Sequence, residues 1–277
     1  MQPSQPGLDI TTLRRLVRPG QNTAGLVDRI ADHLDAHDGY VAFSGGKDSL
    51  VVVHLTLQAE PNVPVVFFDS GLEYPETITY LDQVAEQLGI PDGIEIEPAV
   101  PDLLTLLIRT GTWGHHLPNR DFPDDVRTTL ITQPAAQAHR RHGPGELWGV
   151  RASESDARRR LYLAALNHHA CGCCRAGRRD RAKHGGVITR RDGTTAFSPI
   201  WDWTDDDVWN YLARHRLPLN PVYDKLRLLG APDRALRLTS LLDAHPLRHG
   251  RAVWLRRGWP NVFTALQEAL PRLSELT

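Results

Sequence analysis

The stretch Val41-Ala-Phe-Ser-Gly-Gly-Lys-Asp-Ser49 decides the fold of this chain. It continues an apolar segment, Tyr40 to Phe43, and leads into an apolar-periodic one, Leu50 to Leu57, which predicts a strand, a tight glycine turn and a helix. The two glycines allow positive φ and a close approach of the backbone to a ligand. Because the start of a helix favours anions, the stretch predicts a cradle for phosphate or pyrophosphate.

This glycine turn supplies six candidate nucleotide-binding residues, namely Ser44, Gly45, Gly46, Lys47, Asp48 and Ser49. Lys47 is one of three lysines, with Lys183 and Lys225, in a chain that otherwise uses arginine. A compact ammonium charge suits a phosphate cradle better than a planar guanidinium. The alternative is an ordinary Gly-Gly turn with a capping Ser or Asp.

The composition bounds the class of protein. The 277 residues are 41% hydrophobic with a formal net charge of −1, which leaves room for one large domain or one domain plus a small appendage. No apolar run approaches the roughly 20 residues of a membrane helix, and no signal peptide is evident at the N-terminus. Three clustered cysteines do not make a disulfide framework, so a reducing, cytoplasmic compartment is the expectation.

Strand and helix patterns alternate along the chain and predict an α/β fold with a doubly wound, mostly parallel sheet. The predicted strands are Tyr40–Phe43, Val63–Phe68, Gly93–Glu97 and Glu146–Val150. The predicted helices are Thr23–His37, Asp48–Gln58, Pro75–Leu88, Pro101–Ile108 and one from about Glu154. The expected organisation is a loose segment at 1–20, a nucleotide-binding domain at 21–225 with a cysteine-containing insertion at 168–186, and a helical C-terminal extension at 226–277, with helices at Asp233–Leu242 and Asn261–Leu273.

Candidate residues follow three of the predicted strands. Ser44–Ser49 follows the first, Asp69 the second and Arg151 the fourth. In doubly wound sheets, ligands bind outside the carboxyl ends of the strands. The three positions are therefore expected to converge on one site.

Ser44-Gly-Gly-Lys-Asp-Ser49 resembles the SGGxDS pyrophosphate loop of the PP-loop ATP pyrophosphatases, whose members cleave ATP between the α and β phosphates. The form with Lys at the fourth place is similar to the branch that contains the sulfonucleotide (PAPS) reductases, the small subunit of ATP sulfurylase and the DndC-type enzymes of DNA phosphorothioation. The resemblance implies a Rossmann-like fold of the PP-loop type, with ATP and Mg²⁺ as ligands.

Further blocks extend this resemblance. Asp69-Ser-Gly-Leu-Glu-Tyr-Pro-Glu-Thr77 resembles the family's D-T-G-x-x-[FY]-P-E-T, with Ser70 where Thr is usual, and Gly149-Val-Arg-Ala-Ser-Glu-Ser-Asp-Ala-Arg158 matches its G-[IV]-R-x-x-E-S-x-x-R. The blocks imply catalytic roles for Lys47, Asp48 and Arg151. They add Asp69, Arg151, Glu154 and Arg158 to the nucleotide-binding residues. For each residue alone, a turn, a helix start or a solvated helix face is the alternative.

Two later blocks complete the match over about residues 38–225. Phe197 to Trp209 looks like the P-[LI]-x-D-W-T-x-x-D-V-W segment of the family, and Leu217 to Asp224 contains its N-P-x-Y-D. Within the first, Thr204 and Asp207 predict a capping box, and Trp209 and Leu212 are expected to face the core. We interpret this segment as structural.

Cys171, Cys173 and Cys174 form the cysteine cluster, flanked by histidines. Thiolates bind soft metals, and the resemblance to DndC-type enzymes and APS reductases makes a [4Fe–4S] cluster relevant. Zinc held by Cys₃His is the second option, a redox or persulfide-bearing thiol the third, and an inert loop the fourth. A fourth cysteine is absent, and the spacing departs from that expected of DndC.

Basic residues concentrate between Arg158 and Arg191, which could track a phosphate backbone or form a solvated face. The segment Thr110 to Asp125 is irregular and polar, which favours a lid over the site. The partners considered are a small-molecule nucleotide, a nucleic acid, a sulfur-donor protein such as a cysteine desulfurase, and a second copy of the chain in a homo-oligomer.

The preferred function is an ATP pyrophosphatase that adenylates an acceptor, for sulfur incorporation of the DndC kind. The alternatives are a sulfonucleotide reductase, an enzyme like the ATP sulfurylase small subunit, and a non-catalytic ATP sensor. Reductases of the resembled family use a cysteine near the C-terminus, whereas residues 175–277 contain none. The cysteine cluster has no role in the sulfurylase subunit.

Overall fold

The computed structural model describes residues 21–110, 126–169, 178–232, 236, 238 and 250–276. Its strands are β1 (Gly39–Ala42), β2 (Val65–Asp69), β3 (Glu95–Pro98), β4 (Gly145–Trp148), β5 (Val187–Thr189) and β6 (Thr195–Phe197). Its helices are α1 (Ala24–His37), α2 (Lys47–Ala59), α3 (Pro75–Leu88), α4 (Leu103–Thr110), α5 (Gln133–His142), α6 (Asp156–His169), α7 (Arg178–His184), α8 (Asp205–His215), α9 (Val222–Leu228), α10 (Gly250–Gly258) and α11 (Pro260–Ala269). A π-helical turn (Thr128–Thr132) and 3₁₀ turns (Ala152–Glu154, Pro271–Leu276) complete the described elements.

The strands form one sheet in the order β3-β2-β1-β4-β6-β5. β1 pairs in parallel with β2 on one side and β4 on the other. Among the described pairs, only β5 with β6 is antiparallel. The predicted doubly wound, mostly parallel sheet is confirmed.

Helices cover both faces of this sheet because successive side chains of a strand point to opposite faces. From β1, Val41 faces the large core that also contains Ile30 of α1 and Leu50 of α2. Its neighbour Tyr40 packs with Ala138 of α5 on the other face. Strands buried on both faces need continuous apolar runs, which is the pattern that β1 and β2 show.

Helix α2 lies in the centre of the large core. Leu50, Val51, Val52, Val53 and Leu55 each have 0% exposure. A helix buried all round carries apolar residues on every side. The glycine turn is therefore anchored at both ends, by a central strand before it and a buried helix after it.

Helix α3 has the predicted bounds and begins with Pro75 in its first turn. Its end is set by Gly89, which has φ +65° and caps the helix in the left-handed conformation. The predicted capping box of α8 is also present, since the Thr204 hydroxyl accepts from the Asp207 N–H and the Asp207 carboxylate accepts from the Thr204 N–H. Trp209 and Leu212 are buried, as predicted.

Several predicted boundaries were wrong by a few residues, and some elements were missed. Pro101 precedes α4, which begins at Leu103, and Glu154 lies in a 3₁₀ turn before α6. The three-residue strands β5 and β6 were not predicted, because such short strands leave almost no periodic pattern.

The C-terminal extension is described from residue 250 onwards. The predicted helix Asn261–Leu273 is instead α11 followed by the 3₁₀ turn Pro271–Leu276. The predicted helix Asp233–Leu242 falls largely outside the described residues, as do the segment 1–20 and most of the segment Thr110–Asp125. In the described ranges, no helix combines the length and apolar character needed to cross a membrane.

Candidate functional site

The candidate site lies at the carboxyl ends of β1 and β4. The chain progresses from β1 to β2 and β3 on one side of the sheet, while β4 pairs on the other side of β1. Such a reversal of strand order opens a crevice between neighbouring loops. The glycine turn after β1 and Arg151 after β4 meet there, through the contacts described below.

Hydrogen bonds within the glycine turn fix its shape. Gly45 has φ +70°, and Gly46 caps α2 in an extended conformation. The Ser44 N–H donates to Ser49 Oγ at 3.2 Å, and Ser49 Oγ donates to the Gly46 carbonyl at 3.0 Å. Ser49 thus closes the turn from inside and is 4% exposed.

Residues of the Asn-Pro-x-Tyr-Asp segment, 220–224, make hydrogen bonds to the glycine turn. Asn220 Nδ2 donates to Thr77 Oγ1 at 3.0 Å and to the Gly45 carbonyl at 3.4 Å. Tyr223 Oη accepts from the Lys47 backbone N–H at 3.0 Å. Because Asn220 and Tyr223 are 1% and 2% exposed, these bonds are shielded from water. In the sequence this segment stands out only as a family marker, and its contact with the turn was not predicted.

Four charged side chains form an alternating cluster beside the turn, which we call the charge cluster: Lys47, Asp48, Arg151 and Asp205. Lys47 Nζ lies 2.8 Å from Asp48 Oδ2 and 2.8 Å from Asp205 Oδ1. Arg151 donates from Nε to Asp48 Oδ1 at 2.6 Å and from Nη2 to Asp205 Oδ1 at 3.1 Å. The two cations are 6% and 4% exposed, so each is buried and compensated.

The charge cluster shifts the pKa of Asp205. Burial alone would raise the pKa of this carboxyl. The charges of Lys47 and Arg151, with hydrogen bonds from Lys47 and Trp209, outweigh burial and hold the pKa of Asp205 below its ordinary value. The carboxylate is therefore ionised at neutral pH and pairs with both cations.

Gly149 allows Arg151 to reach the charge cluster. A Cβ at Gly149 would lie 2.5 Å from the Ser49 nitrogen and 2.7 Å from the Asp48 carbonyl carbon, so the backbone after β4 touches the first turn of α2. Arg151 Nη1 donates to the Trp203 carbonyl at 3.2 Å. The guanidinium is thereby held in one orientation by acceptors on separate elements.

Glu154 and Arg158 form a neighbouring pair. Glu154 Oε2 accepts from the Arg151 N–H at 2.9 Å and caps the 3₁₀ turn. The same carboxylate pairs with Arg158, whose side chain is 41% exposed. Glu154 thus holds the Arg151 backbone and Arg158 pairs with Glu154, and their contact with a nucleotide stays a prediction.

Asp69 lies at the end of β2, at the same edge of the sheet. Its Oδ1 accepts from the Gly71 N–H at 2.7 Å, and Gly71 has φ +79°. A Cβ at Gly71 would lie 2.7 Å from Asp102 Cβ. Asp69 therefore shapes the turn after β2, which was the alternative interpretation of this residue, and its contact with a nucleotide stays a prediction.

The C-terminal extension is attached next to this turn. Trp259 Nε1 donates to both oxygens of Glu76, at 2.9 and 2.8 Å, and Lys225 Nζ donates to Glu76 Oε1 at 2.8 Å. The Tyr74 and Trp259 rings lie 4.6 Å apart. Burial would raise the pKa of Glu76, but the bonds from Lys225 and Trp259 hold it below its ordinary value. Glu76 is thus an anchor for the extension as well as a helix-start residue.

Asp205 is the member of the charge cluster that the sequence analysis missed. It stands in a run of three aspartates in the first turn of α8. Acidic residues are favoured there by the helix dipole, so the run has a sufficient local explanation. The capping-box spacing from Thr204 identifies Asp207, but nothing in the local sequence separates Asp205, which reaches Lys47, from Asp206.

The proposed metal ligands Cys171, Cys173 and Cys174 lie outside the described residues. Within the described ranges, no group of three or more His, Cys, Asp and Glu side chains is arranged to hold a metal ion. Of the basic run from Arg158 to Arg191, Arg190 pairs with the buried Glu146 and Arg181 lies 4.9 Å from the Trp201 ring. These two arginines therefore have structural partners.

Comparison with known proteins gives a family match. The family model described as phosphoadenosine phosphosulfate reductase domain matches residues 39–228. A relative named sulfate adenylyltransferase subunit 2, from Streptomyces lavendulae, is 33% identical over 192 residues, which cover 66% of this chain and 55% of the relative. A phosphoadenosine 5'-phosphosulfate reductase from Xylella fastidiosa (strain M12) is 26% identical over 189 residues, covering 66% of this chain and 65% of the relative.

Among solved structures, a phosphoadenylyl-sulfate (PAPS) reductase from Candida auris, in a phosphate complex, matches with 15% identity and a TM-score of 0.48. The match covers 76% of this chain and 87% of that one. The chain spans a little over half to about two thirds of the length of the curated relatives above.

Proposed function

The chain belongs to the phosphoadenosine phosphosulfate reductase domain family, and from this premise we propose that it is a PP-loop enzyme that transfers the adenylyl group of ATP to an acceptor oxygen and releases pyrophosphate. One observation carries the proposal. Lys47 and Arg151, both more than nine-tenths buried, converge beside the glycine turn at the ends of neighbouring strands. A buried pair of cations at a helix start suits a multiply charged phosphate group.

In the proposed reaction, the acceptor oxygen attacks the α-phosphorus of ATP. The bond from the α-phosphorus to the bridging oxygen breaks, and pyrophosphate leaves with the bonding electrons. Lys47 contributes a point charge and Arg151 a fixed guanidinium donor toward the oxygens on which negative charge grows. The fixed Arg151 orientation means that little reorganisation is needed when that charge develops.

Magnesium is compatible with the donor set beside these cations. Mg²⁺ is commonly bound by one or two carboxylates together with substrate phosphates, and Asp48 and Asp205 present carboxylate oxygens there. When bound, the ion would neutralise phosphate charge. In this proposal Asp48 and Asp205 would hold the ion, and Asp48 keeps Arg151 oriented.

Sulfate is the acceptor that we propose to test first, because the 33% identical relative is named a sulfate adenylyltransferase subunit. That name also supports a partner polypeptide for this chain. A nucleic-acid acceptor with a sulfur donor, expected from the DndC resemblance, is the second arm of the assay.

The test uses the purified full chain with ATP and Mg²⁺, with and without sulfate, and measures pyrophosphate release and ATP–pyrophosphate exchange. We expect Lys47→Met to lower the rate by about 100-fold or more, as for loss of a charge-stabilising donor. Lys183→Met is the matched control, since Lys183 is exposed on α7, and should leave the rate unchanged. Absence of pyrophosphate with every acceptor, or an active Lys47→Met variant, would contradict the proposal.

A sulfonucleotide reductase is the second candidate function, favoured by the name of the matched family model and of the 26% identical relative. In that reaction a thiolate attacks the sulfur of the sulfonucleotide, the bond from that sulfur to the phosphate oxygen breaks, and the nucleotide leaves. A second thiolate then attacks the thiol sulfur of the resulting S-sulfonate, which releases sulfite and leaves a disulfide. Supplying PAPS or APS with a dithiol and measuring sulfite separates this function from pyrophosphate release.

Metal binding by Cys171, Cys173 and Cys174 stays a prediction from the sequence. Iron, zinc and sulfide analysis of anaerobically purified protein tests it, with Cys→Ser variants as controls. A [4Fe–4S] cluster gives broad thiolate-to-iron absorbance in the visible range, whereas zinc gives none. Loss of metal in the variants, without loss of the glycine-turn activity, would assign the metal to the cysteines.

A further inference from the structure

Asp205 occupies an unusual position between two cations. One of its carboxylate oxygens, Oδ1, lies 2.8 Å from Lys47 Nζ and 3.1 Å from Arg151 Nη2. The other, Oδ2, accepts from Trp209 Nε1 at 2.9 Å. A single oxygen thus satisfies two buried positive groups, which is also what a phosphate oxygen would do at the same place.

The two carboxylates of the charge cluster differ in how readily they can leave. Asp48 is 19% exposed and follows Lys47 directly in the first turn of α2. Asp205 is 50% exposed and comes from the separate helix α8. Water already reaches half of the Asp205 side chain, whereas Asp48 stays beside Lys47 wherever the turn goes.

We propose that Asp205 is a displaceable counter-ion, which neutralises Lys47 and Arg151 in the ligand-free protein and must leave both cations when a pyrophosphate group binds. The inference rests on the proposed function for the identity of the anion. Asp48 supplies one negative charge for two buried cations, and an uncompensated buried charge is costly. The ligand-free protein therefore gains from Asp205, and the binding of an anion is weakened by the same interaction.

Calorimetric titration of the full chain with inorganic pyrophosphate, without divalent cations, tests this inference. We compare the wild type with Asp205→Asn, which removes the charge at nearly constant shape, and Asp205→Glu, which keeps it. Asp206→Asn is the matched control because it removes one negative charge from the same helical turn. Circular dichroism of each variant checks that it is folded.

We expect Asp205→Asn to bind pyrophosphate at least about tenfold more tightly than the wild type. A tenfold gain in affinity corresponds to only part of the interaction free energy of one close charge pair. Asp205→Glu should bind like the wild type, and Asp206→Asn should gain much less. Weaker binding by Asp205→Asn would mean that Asp205 serves as a ligand, and an equal gain in Asp206→Asn would mean that only net charge matters. Either result overturns the inference, as does pyrophosphate that binds to no variant.

A crystal structure of the wild type with pyrophosphate gives a second readout that does not depend on the folding of a variant. We expect anion oxygens within hydrogen-bond distance of Lys47 Nζ and Arg151 Nη2, with Asp205 Oδ1 removed from both. Pyrophosphate bound while Asp205 keeps its contacts would overturn the inference. ATP turnover by the wild type decides the proposed function separately, so the two failures are distinguishable.

Discussion

Arg151 Nε donates to Asp48 Oδ1 at 2.6 Å, which joins the loop after β4 to the first turn of α2. The two residues are 103 positions apart in the chain and meet because β1 and β4 are parallel neighbours. The contact turns two separate strand ends into one site. Each of the two side chains therefore helps to fix the orientation of the other.

We expect Arg151→Lys to lower pyrophosphate release by about 100-fold, because an ammonium cannot donate in a planar fork to Asp48 and Asp205 together. Loss of these bonds should also lower the free energy of unfolding by roughly 1–3 kcal/mol. Urea unfolding and the pyrophosphate assay measure the two effects. Arg159→Lys is the control, since Arg159 is 60% exposed; the prediction is wrong if both variants behave alike.

We expect Gly149→Ala to destabilise the protein and reduce ATP binding, because its Cβ would lie 2.5 Å from the Ser49 nitrogen. The backbone there must shift, at a cost of roughly 1–3 kcal/mol. Gly25→Ala in α1 is the matched control, since a Cβ there meets nothing within 4 Å, and it should stabilise by up to about 1 kcal/mol. Thermal unfolding measures the stability of both variants, and ATP titration measures their affinity for ATP. A Gly149→Ala variant with unchanged stability and affinity would show that the backbone can move apart there at little cost.

Trp259→Phe removes the N–H that donates to Glu76 and keeps an aromatic ring against Tyr74. We expect a loss of about 1–2 kcal/mol of unfolding free energy from the lost hydrogen bond to a charged group. Trp259→Ala should cost about 3–5 kcal/mol because the ring contact is lost as well. Urea unfolding, with limited proteolysis to report release of residues 250–276, distinguishes the variants. Equal losses in the two variants would assign the whole effect to the hydrogen bond and none to the ring contact with Tyr74.

The lowered pKa values of His33 and His54 predict that the folded protein loses stability in mild acid. Burial is the main cause that lowers the pKa of each imidazole, to about 4, with His37 adding to the effect at His33 and His215 at His54. The unfolded chain therefore takes up these protons near pH 6.5 and the folded chain only near 4. Stability is full above the unfolded pKa and falls as the pH drops from about 6.5 toward 4.

Urea unfolding at about pH 7 and about pH 5 measures this loss, which we expect to be on the order of 2 kcal/mol per histidine. His54→Gln keeps a neutral polar group near Tyr211, which lies 2.8 Å from His54 Nδ1. The variant should lose less stability between the two pH values than the wild type. An unchanged pH dependence would show that His54 does not titrate in this window.

The parts of the fold that the sequence predicted well are those with a complete local signal. The apolar runs of β1 and β2, and the helix between the glycine turn and Gln58, follow from periodicity alone. Pro75 and Gly89 delimit α3, because each has a backbone preference suited to one end of a helix. The meeting of the glycine turn and Arg151 followed as well, since strand ends of a parallel sheet share one edge.

The missed features depend on distant partners. The strands β5 and β6 have three residues each, and Thr195, Ala196 and Phe197 become a strand because β4 offers an adjacent edge. Short elements of this kind are stabilised by pairing and burial, which a local pattern does not contain.

The sequence by itself determined the glycine turn, the order of strands β1 to β4, and which strand ends carry polar side chains. Only the tertiary structure decided that Asp205 joins Lys47 and Arg151 and that Tyr223 accepts from the turn. The physical reason is the distance along the chain over which each kind of interaction acts. Turn and helix preferences act over a few neighbouring residues, whereas the pairing of buried charges depends on which elements the packed sheet brings together.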